Sequence, residues 1–249
     1  AVTGVTTILK NASGRTRALE GLDDQDSVLC GTAPTGPIQV PMNGAIYMAD
    51  VTGGQKTGLF YDQRLNHAFA ARWAKDARML DVFSHVGGFA LAALAGGASS
   101  ALAVDGSAPA LALAEQGATA MGDADRFQTR KGDAFDVLAD LGRDGAQFDL
   151  DVCDPPAFAP NKPALEAGLR AYERVARLSA PLVAPGGLLV LCSCSHAAGV
   201  EAFRTASARG IGKAGRKGRL LHQGFAGPDH PLLPNLPESG YLKALFFAL

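Results

Sequence analysis

The sequence predicts an α/β fold: an open, mostly parallel sheet covered by helices on both faces and preceded by a small β-rich unit. Three observations carry this. Strand-like and helix-like segments alternate from about residue 66 to the end. Residues 1–54 are instead rich in Gly, Thr, Pro and Asp, with short β-like runs. The 249 residues are 47% hydrophobic and 19% charged, enough for one large core plus an appendage. The predicted division is 1–54 and 55–249.

In the first unit, Val5-Thr6-Thr7-Ile8-Leu9, Ser27–Cys30, Ile38–Val40 and Ala45–Val51 read as strands. Pro34-Thr35-Gly36-Pro37 and Met42-Asn43-Gly44 read as turns between them, and Gly53-Gly54 as a joint. A helix over Asn66–Lys75 leads to the apolar strand Met79–Phe83. Gly87-Gly88 opens an Ala-rich helix to about Ala95. Strand Ser100–Val104 ends at Asp105, and Pro109 sits in the first turn of the next helix, where a missing N–H is tolerated. Strand Arg126–Thr129, helix Ala134–Leu141, strand Phe148–Cys153, helix Lys162–Leu182 and strand Gly187–Cys194 follow. Tyr241–Leu249 reads as a closing strand, and the basic, Gly-rich stretch Arg209–Arg219 as a mobile loop. Trp73, the single tryptophan, is expected to pack its helix onto the core.

In such a sheet, ligands bind beyond the carboxyl ends of the strands. Asp105, ending a strand, is placed to accept both hydroxyls of a ribose. Gly87 lets backbone approach the ligand, and Asp133 is placed for an adenine amino group. The first turn lacks the Gly-x-Gly-x-x-Gly phosphate fingerprint. A nucleoside cofactor without pyrophosphate fits, which points to S-adenosylmethionine. Asp154-Pro155-Pro156 at the end of one strand and Cys194 at the end of the next suit chemistry in which a thiolate adds to a pyrimidine ring. Asp154 stabilises the adduct, the prolines fix the loop, and Phe158 stacks on the base. Cys192 and Cys153 read as core.

From about Gly53 to Leu249 the chain resembles the bacterial RlmI-type large-subunit ribosomal RNA 5-methylcytosine methyltransferases. The matching pieces are Gly54-Gln55-Lys56-Thr57-Gly58-Leu59-Phe60-Tyr61-Asp62-Gln63-Arg64 and Phe83-Ser84-His85-Val86-Gly87-Gly88-Phe89-Ala90. Val104-Asp105, Asp154-Pro155-Pro156-Ala157-Phe158, Ser193-Cys194-Ser195, Asp229-His230-Pro231 and Tyr241-Leu242-Lys243 complete them. The resemblance implies a Rossmann-like class I methyltransferase sheet whose seventh strand is antiparallel, a β-rich domain before it, S-adenosylmethionine as cofactor and Cys194 as nucleophile. The residues expected to hold the cofactor are Phe60, Gln63, Arg64, Phe83, Ser84, His85, Gly87, Phe89, Asp105, Gly106, Ser107, Asp133, Ala134, Asp154 and Pro155. The Asp62-Gln63-Arg64 segment is expected to close over its methionine end. Substrate contacts are expected from Pro155, Pro156 and Phe158, and from a basic patch of Lys213, Arg216, Lys217 and Arg219. The family carries an N-terminal PUA RNA-binding domain, to which nothing here corresponds.

Composition bounds the rest. A net charge of −1 gives no whole-chain argument for nucleic acid, so ribosomal RNA as partner rests on the resemblance and the local patch. The four cysteines show no paired Cys-x-x-Cys spacing, so no metal is expected. No membrane-length apolar run or signal-like start is present, which gives the expectation of a cytoplasmic protein with reduced thiols. The oligomeric state is not given by the sequence; a homodimer is one assembly open to it. The chain begins at Ala1, consistent with processing or a cut from a longer protein. Two other classes compete: a methyltransferase acting on nitrogen of RNA or a small molecule, which needs no thiol, and a non-catalytic S-adenosylmethionine-binding module.

Overall fold

The computed structural model describes residues 4–12, 17, 21–23, 25–53 and 58–249. β1 (Ile8–Lys10) and β2 (Ser27–Cys30) pair antiparallel as a sheet of their own, and β3 (Ile38–Met42) and β4 (Ala45–Ala49) form an antiparallel hairpin. The turn of that hairpin is Asn43-Gly44, both at positive φ (55° and 78°), a pairing suited to a tight hairpin. Residues 54–57, including half of the expected joint and part of the first matching motif, lie outside the described residues.

The remaining strands build one seven-stranded sheet. Its members are β5 (Arg78–Val82), β6 (Ser100–Asp105), β7 (Phe127–Lys131), β8 (Phe148–Cys153), β9 (Val183–Ser193), β10 (Arg219–Gly224) and β11 (Lys243–Ala248). Their order is β10-β11-β9-β8-β5-β6-β7. β11 runs antiparallel to both neighbours, and the pairs from β9 to β7 are parallel. This is the expected Rossmann-like sheet with an antiparallel seventh strand. The order reverses between β5 and β8, which sets the crevice at their carboxyl ends.

Both faces are covered, and strand alternation divides the core in two. Met79, Ala101, Ala103, Leu150, Val152, Val190 and Phe246 face α1 (Arg64–Ala71), α2 (Gly88–Ala95) and α3 (Ala108–Met121). Leu80, Val82, Val104, Leu189, Leu191 and Phe247 face α4 (Ala134–Arg143), α5 (Leu165–Ser179) and α6 (Val200–Lys213). The run Phe89–Leu94 within α2 is buried all round, as expected of a helix without a polar face. The hairpin β3–β4 supplies part of its cover: Ala45, Tyr47 and Ala49 are buried in the same core. At Gly117 of α3 a Cβ would come within 2.8 Å of the Ile46 carbonyl, so only glycine lets the hairpin lie this close.

Two expectations are corrected. The stretch 209–219 is not a loop; it ends α6, turns, and begins β10. Gly210 is unfavourable for a helix by propensity, yet a Cβ there would meet the Glu173 carbonyl at 2.4 Å, so close packing of α6 on α5 requires it. Trp73 does not pack onto the core; it lies beyond the end of α1, 51% exposed.

Candidate functional site

At the carboxyl ends of β5, β6, β8 and β9 lies a cavity of about 540 Å³. Its floor is the turn after β5, where Phe83 (φ 63°), His85 (φ 50°) and Gly87 (φ 79°) all take the left-handed conformation. For Phe83 and His85 this is strained backbone, which persists where surroundings over-determine it and concentrates at functional sites. The surroundings here are visible. The Ser84 amide donates to Val104 O at 3.0 Å, and the Gly87 amide to Ser84 O at 2.8 Å. The His85 amide donates to Asp105 Oδ2 at 2.8 Å. Gly87 caps α2 without a side chain, and a Cβ there would press on Ala114 at 3.1 Å.

Asp105 also accepts from the Ser107 amide at 2.7 Å, so its carboxylate faces the cavity in one fixed orientation. Asp81, inside the apolar strand β5, is 1% exposed and accepts from the Ala90 amide at 2.9 Å. Burial raises its carboxyl to about 7, and the charges of Asp154 and Asp105 add to the shift. Sequence reasoning missed Asp81; its signal was a lone acid between Leu80 and Val82 at the core of a strand. His85 meets Phe60 edge to face, with ring centroids 5.0 Å apart, and burial keeps its imidazole neutral.

The two halves expected to carry chemistry open into the same cavity: Asp154, Pro155 and Pro156 on one side and Cys194 on the other. The Cys194 thiol points at the Pro155 carbonyl, 3.9 Å away. Gln63 Nε2 donates to Asp154 Oδ2 at 2.9 Å, and Asn66 holds Gln63 in turn at 2.6 Å. Strand alternation explains the Ser-Cys-Ser motif. Ser193 and Ser195 point away from the cavity into a buried hydroxyl cluster on Tyr172: Ser193 Oγ donates to Tyr172 Oη at 2.9 Å, and Tyr172 Oη lies 2.8 Å from Ser195 Oγ. Ser195 Oγ also accepts from the Ala159 amide at 2.9 Å. This ties the loop after Asp154 to the strand end that carries Cys194. Cys192 and Cys153 are buried, and burial raises both thiols well above their ordinary value.

Other expected residues lie elsewhere. Asp133 caps α4, accepting from the amides of Phe135 and Asp136, and like Ala134 and Gly87 it does not line the cavity. Arg64 pairs with Asp229 at 3.1 Å outside the lining, which joins two of the matching motifs. Phe158 packs among Phe83, Phe135 and Tyr172, 5.0 Å from the last. In the basic stretch, Lys213 and Arg209 bind Glu173, and Arg216 donates to the carbonyls of Ala180 and Val183. Arg219 is level with Ala248 and so with Leu188. That is six residues before Cys194, or about 20 Å along the sheet, at the end opposite the cavity. Among the described residues no cluster suited to a metal is found, and no helix is long and apolar enough to cross a membrane.

Residues 11–248 match the model of the S-adenosylmethionine-dependent methyltransferases, and the chain belongs to that family. Its cofactor is therefore S-adenosylmethionine. The proteins named Ribosomal RNA large subunit methyltransferase I from Tolumonas auensis and Aeromonas salmonicida are 38% identical over 231 residues and 36% over 230. Each alignment takes in 92% of this chain and 58% of the relative, so the chain spans less than two thirds of the length of these relatives. The crystal structure of SMU.776 in complex with SAH superposes with a TM-score of 0.79 at 25% identity, over 90% of this chain and 59% of that one.

The lining fits such a cofactor. Among the described residues, Asp81 Oδ1 and Ser84 Oγ are buried polar atoms without a hydrogen-bond partner, and both residues line the cavity. Such atoms are costly unless a ligand meets them. Calorimetry of Asp105→Ala is expected to show S-adenosylmethionine affinity down by about tenfold or more, because a ribose hydroxyl pair loses its acceptor. Unchanged affinity would remove Asp105 from the site.

Proposed function

We propose that this domain forms 5-methylcytosine in large-subunit ribosomal RNA through a covalent bond between Cys194 and the base. The observation that carries it is the Cys194 thiol beside Asp154-Pro155, 3.9 Å from the Pro155 carbonyl, in the wall of the cofactor cavity. A methyltransferase acting on nitrogen has no use for a thiol there. The names of the relatives support the RNA class, which in turn implies a cytoplasmic setting.

Bound S-adenosylmethionine supplies an electrophilic methyl group. The chain's own residues do the rest. The Cys194 thiolate forms a bond to carbon 6 of the ring, and the electron pair of the 5,6 double bond becomes available at carbon 5 for the new carbon–methyl bond. Asp154, held by Gln63, stabilises the adduct by hydrogen bonding: its carboxyl gives a proton toward ring nitrogen 3, where negative charge develops, and accepts from the exocyclic amine. The Pro155-Pro156 loop and the hydroxyl cluster on Tyr172 hold base and thiol in one geometry. Loss of the carbon 5 proton to a base and cleavage of the carbon 6–sulfur bond then return the thiolate.

Nucleoside mass spectrometry of ribosomal RNA from cells with and without the gene tests this. Loss of 5-methylcytidine from large-subunit RNA is expected. Loss of a nitrogen-methylated nucleoside instead would replace the cytosine reading.

A further inference from the structure

Lys243 opens β11 and pairs across the sheet with Ser193. Its side chain is buried at 4% exposure, an unusual place for an ammonium group. Nζ donates to Ser195 O at 2.6 Å and to Tyr241 O at 2.7 Å. Among the described residues it forms no salt bridge with a carboxylate. Two carbonyls satisfy hydrogen bonds but do not neutralise a charge, and burying an ammonium without a counter-charge is costly. The position has a second meaning. Ser195 O is the carbonyl of the residue after Cys194, so the ammonium is bonded to the strand end that carries the candidate nucleophile.

The charged and titratable groups around Cys194 come from several elements. Asp154 and Asp62 line the same cavity, Tyr172 of α5 bonds the adjacent Ser193, Tyr241 donates to Asp62, and Lys243 bonds the adjacent Ser195. His196, two residues on, is exposed. Tyr172 and Tyr241 are both raised, chiefly by burial, with the Cys194 charge adding to the shift. Both therefore stay neutral and supply no positive charge. Lys243 is lowered to about 8 by burial, against the opposing pull of Cys194. It is the cation in this set, whose other members are carboxylates and phenols.

We propose that Lys243 is a positioning residue that fixes the strand end bearing Cys194 and supplies the positive charge that holds its sulfur in the thiolate form. The role rests on the reading of Cys194 as nucleophile. A thiol beside a buried cation reacts as thiolate at neutral pH; the same thiol among carboxylates does not. Proton balance is simple: the thiol proton leaves to solvent before the base enters, and Lys243 stays protonated throughout.

The test is the rate of alkylation of Cys194 by iodoacetamide against pH, read by intact mass, in a Cys30→Ser background that removes the exposed thiol. Lys243→Met is expected to slow alkylation at pH 7 by about tenfold or more and to move the midpoint of the profile to higher pH. Lys243→Arg is expected to keep most of the rate. Lys243→Gln keeps an N–H donor for the Ser195 and Tyr241 carbonyls without the charge; should Lys243→Met fail to melt cooperatively, it decides. A wild-type profile in the charge-deleting variant would overturn the proposal and leave Lys243 a structural tie. A parallel arm incubates each protein with S-adenosylmethionine and a ribosomal RNA transcript carrying 5-fluorocytidine. A denaturation-resistant complex in the wild type that forms more slowly in Lys243→Met supports the role. No complex in the wild type overturns the nucleophile reading, whereas the alkylation profile still reports whether Lys243 acts on the sulfur.

Discussion

Cys194→Ala is expected to lower methyl transfer to ribosomal RNA by roughly three orders of magnitude or more, the scale seen when a covalent nucleophile is removed. S-adenosylmethionine affinity should stay within about twofold of wild type, because the thiol acts on the base and not on the cofactor. Melting should shift little, since Cys194 is only partly buried. Cys192→Ala makes the contrast. Its side chain lies in the core, 1% exposed, so it should lose about 1–2 kcal/mol of stability and keep activity. RNA carrying 5-fluorocytosine should form a denaturation-resistant complex with wild type and with Cys192→Ala, because fluorine blocks the final elimination. Equal trapping by Cys194→Ala, or retained methylation, would end the covalent assignment.

Asp81→Asn should raise stability and weaken cofactor binding together. The folded state holds the Asp81 carboxyl near 7 against an unfolded value of 3.8. A carboxyl raised in this way favours folding when protonated. Its effect is absent below about 4, grows unfavourable as pH rises from 4 to 7, and reaches roughly 4 kcal/mol above 7. Asparagine keeps an acceptor for the Ala90 amide and removes the charge, so the variant should melt several degrees higher than wild type at pH 8 and no higher at pH 4. Binding should move the other way. A cationic ligand favours ionised Asp81, so wild-type affinity for S-adenosylmethionine should rise from pH 6 to 8 with release of a proton, measurable by calorimetry in buffers of different ionisation enthalpy. A flat pH profile in wild type, or a variant with full affinity, would take Asp81 out of the site.

Much of this architecture was legible because it rests on alternation. The Met79–Phe83 and Phe148–Cys153 runs sit between helix-period segments, and burial on both faces leaves few other folds for that pattern. The strand ends were legible for the same reason, which placed Asp105, Asp154 and Cys194 at one crevice. What escaped depends on packing between distant segments. Gly210 reads as a helix breaker until Glu173 is seen beneath it. Lys243 shows in the sequence only as the start of the closing strand and part of a matching piece; its burial and its bond to Ser195 O come from packing. Asp133 could be read as a ligand or as a cap, and only its bonds to the Phe135 and Asp136 amides show its structural use. Asp81 was hidden by the strength of the apolar strand around it.

The acids around the cavity also bear on turnover. Burial raises Asp81, and the charges of Asp154 and Asp105 add to the shift, so a positive guest lowers the cost of keeping these acids ionised together. Methyl transfer removes one positive charge from that guest while the adenosine and its contacts stay the same. A unit charge about 4 Å from a carboxylate is worth roughly 1–4 kcal/mol at effective dielectric constants between water and a protein surface. If these carboxylates meet the sulfonium, they grip the reactant more tightly than the spent product, and relief of product inhibition by S-adenosylhomocysteine is the expected consequence.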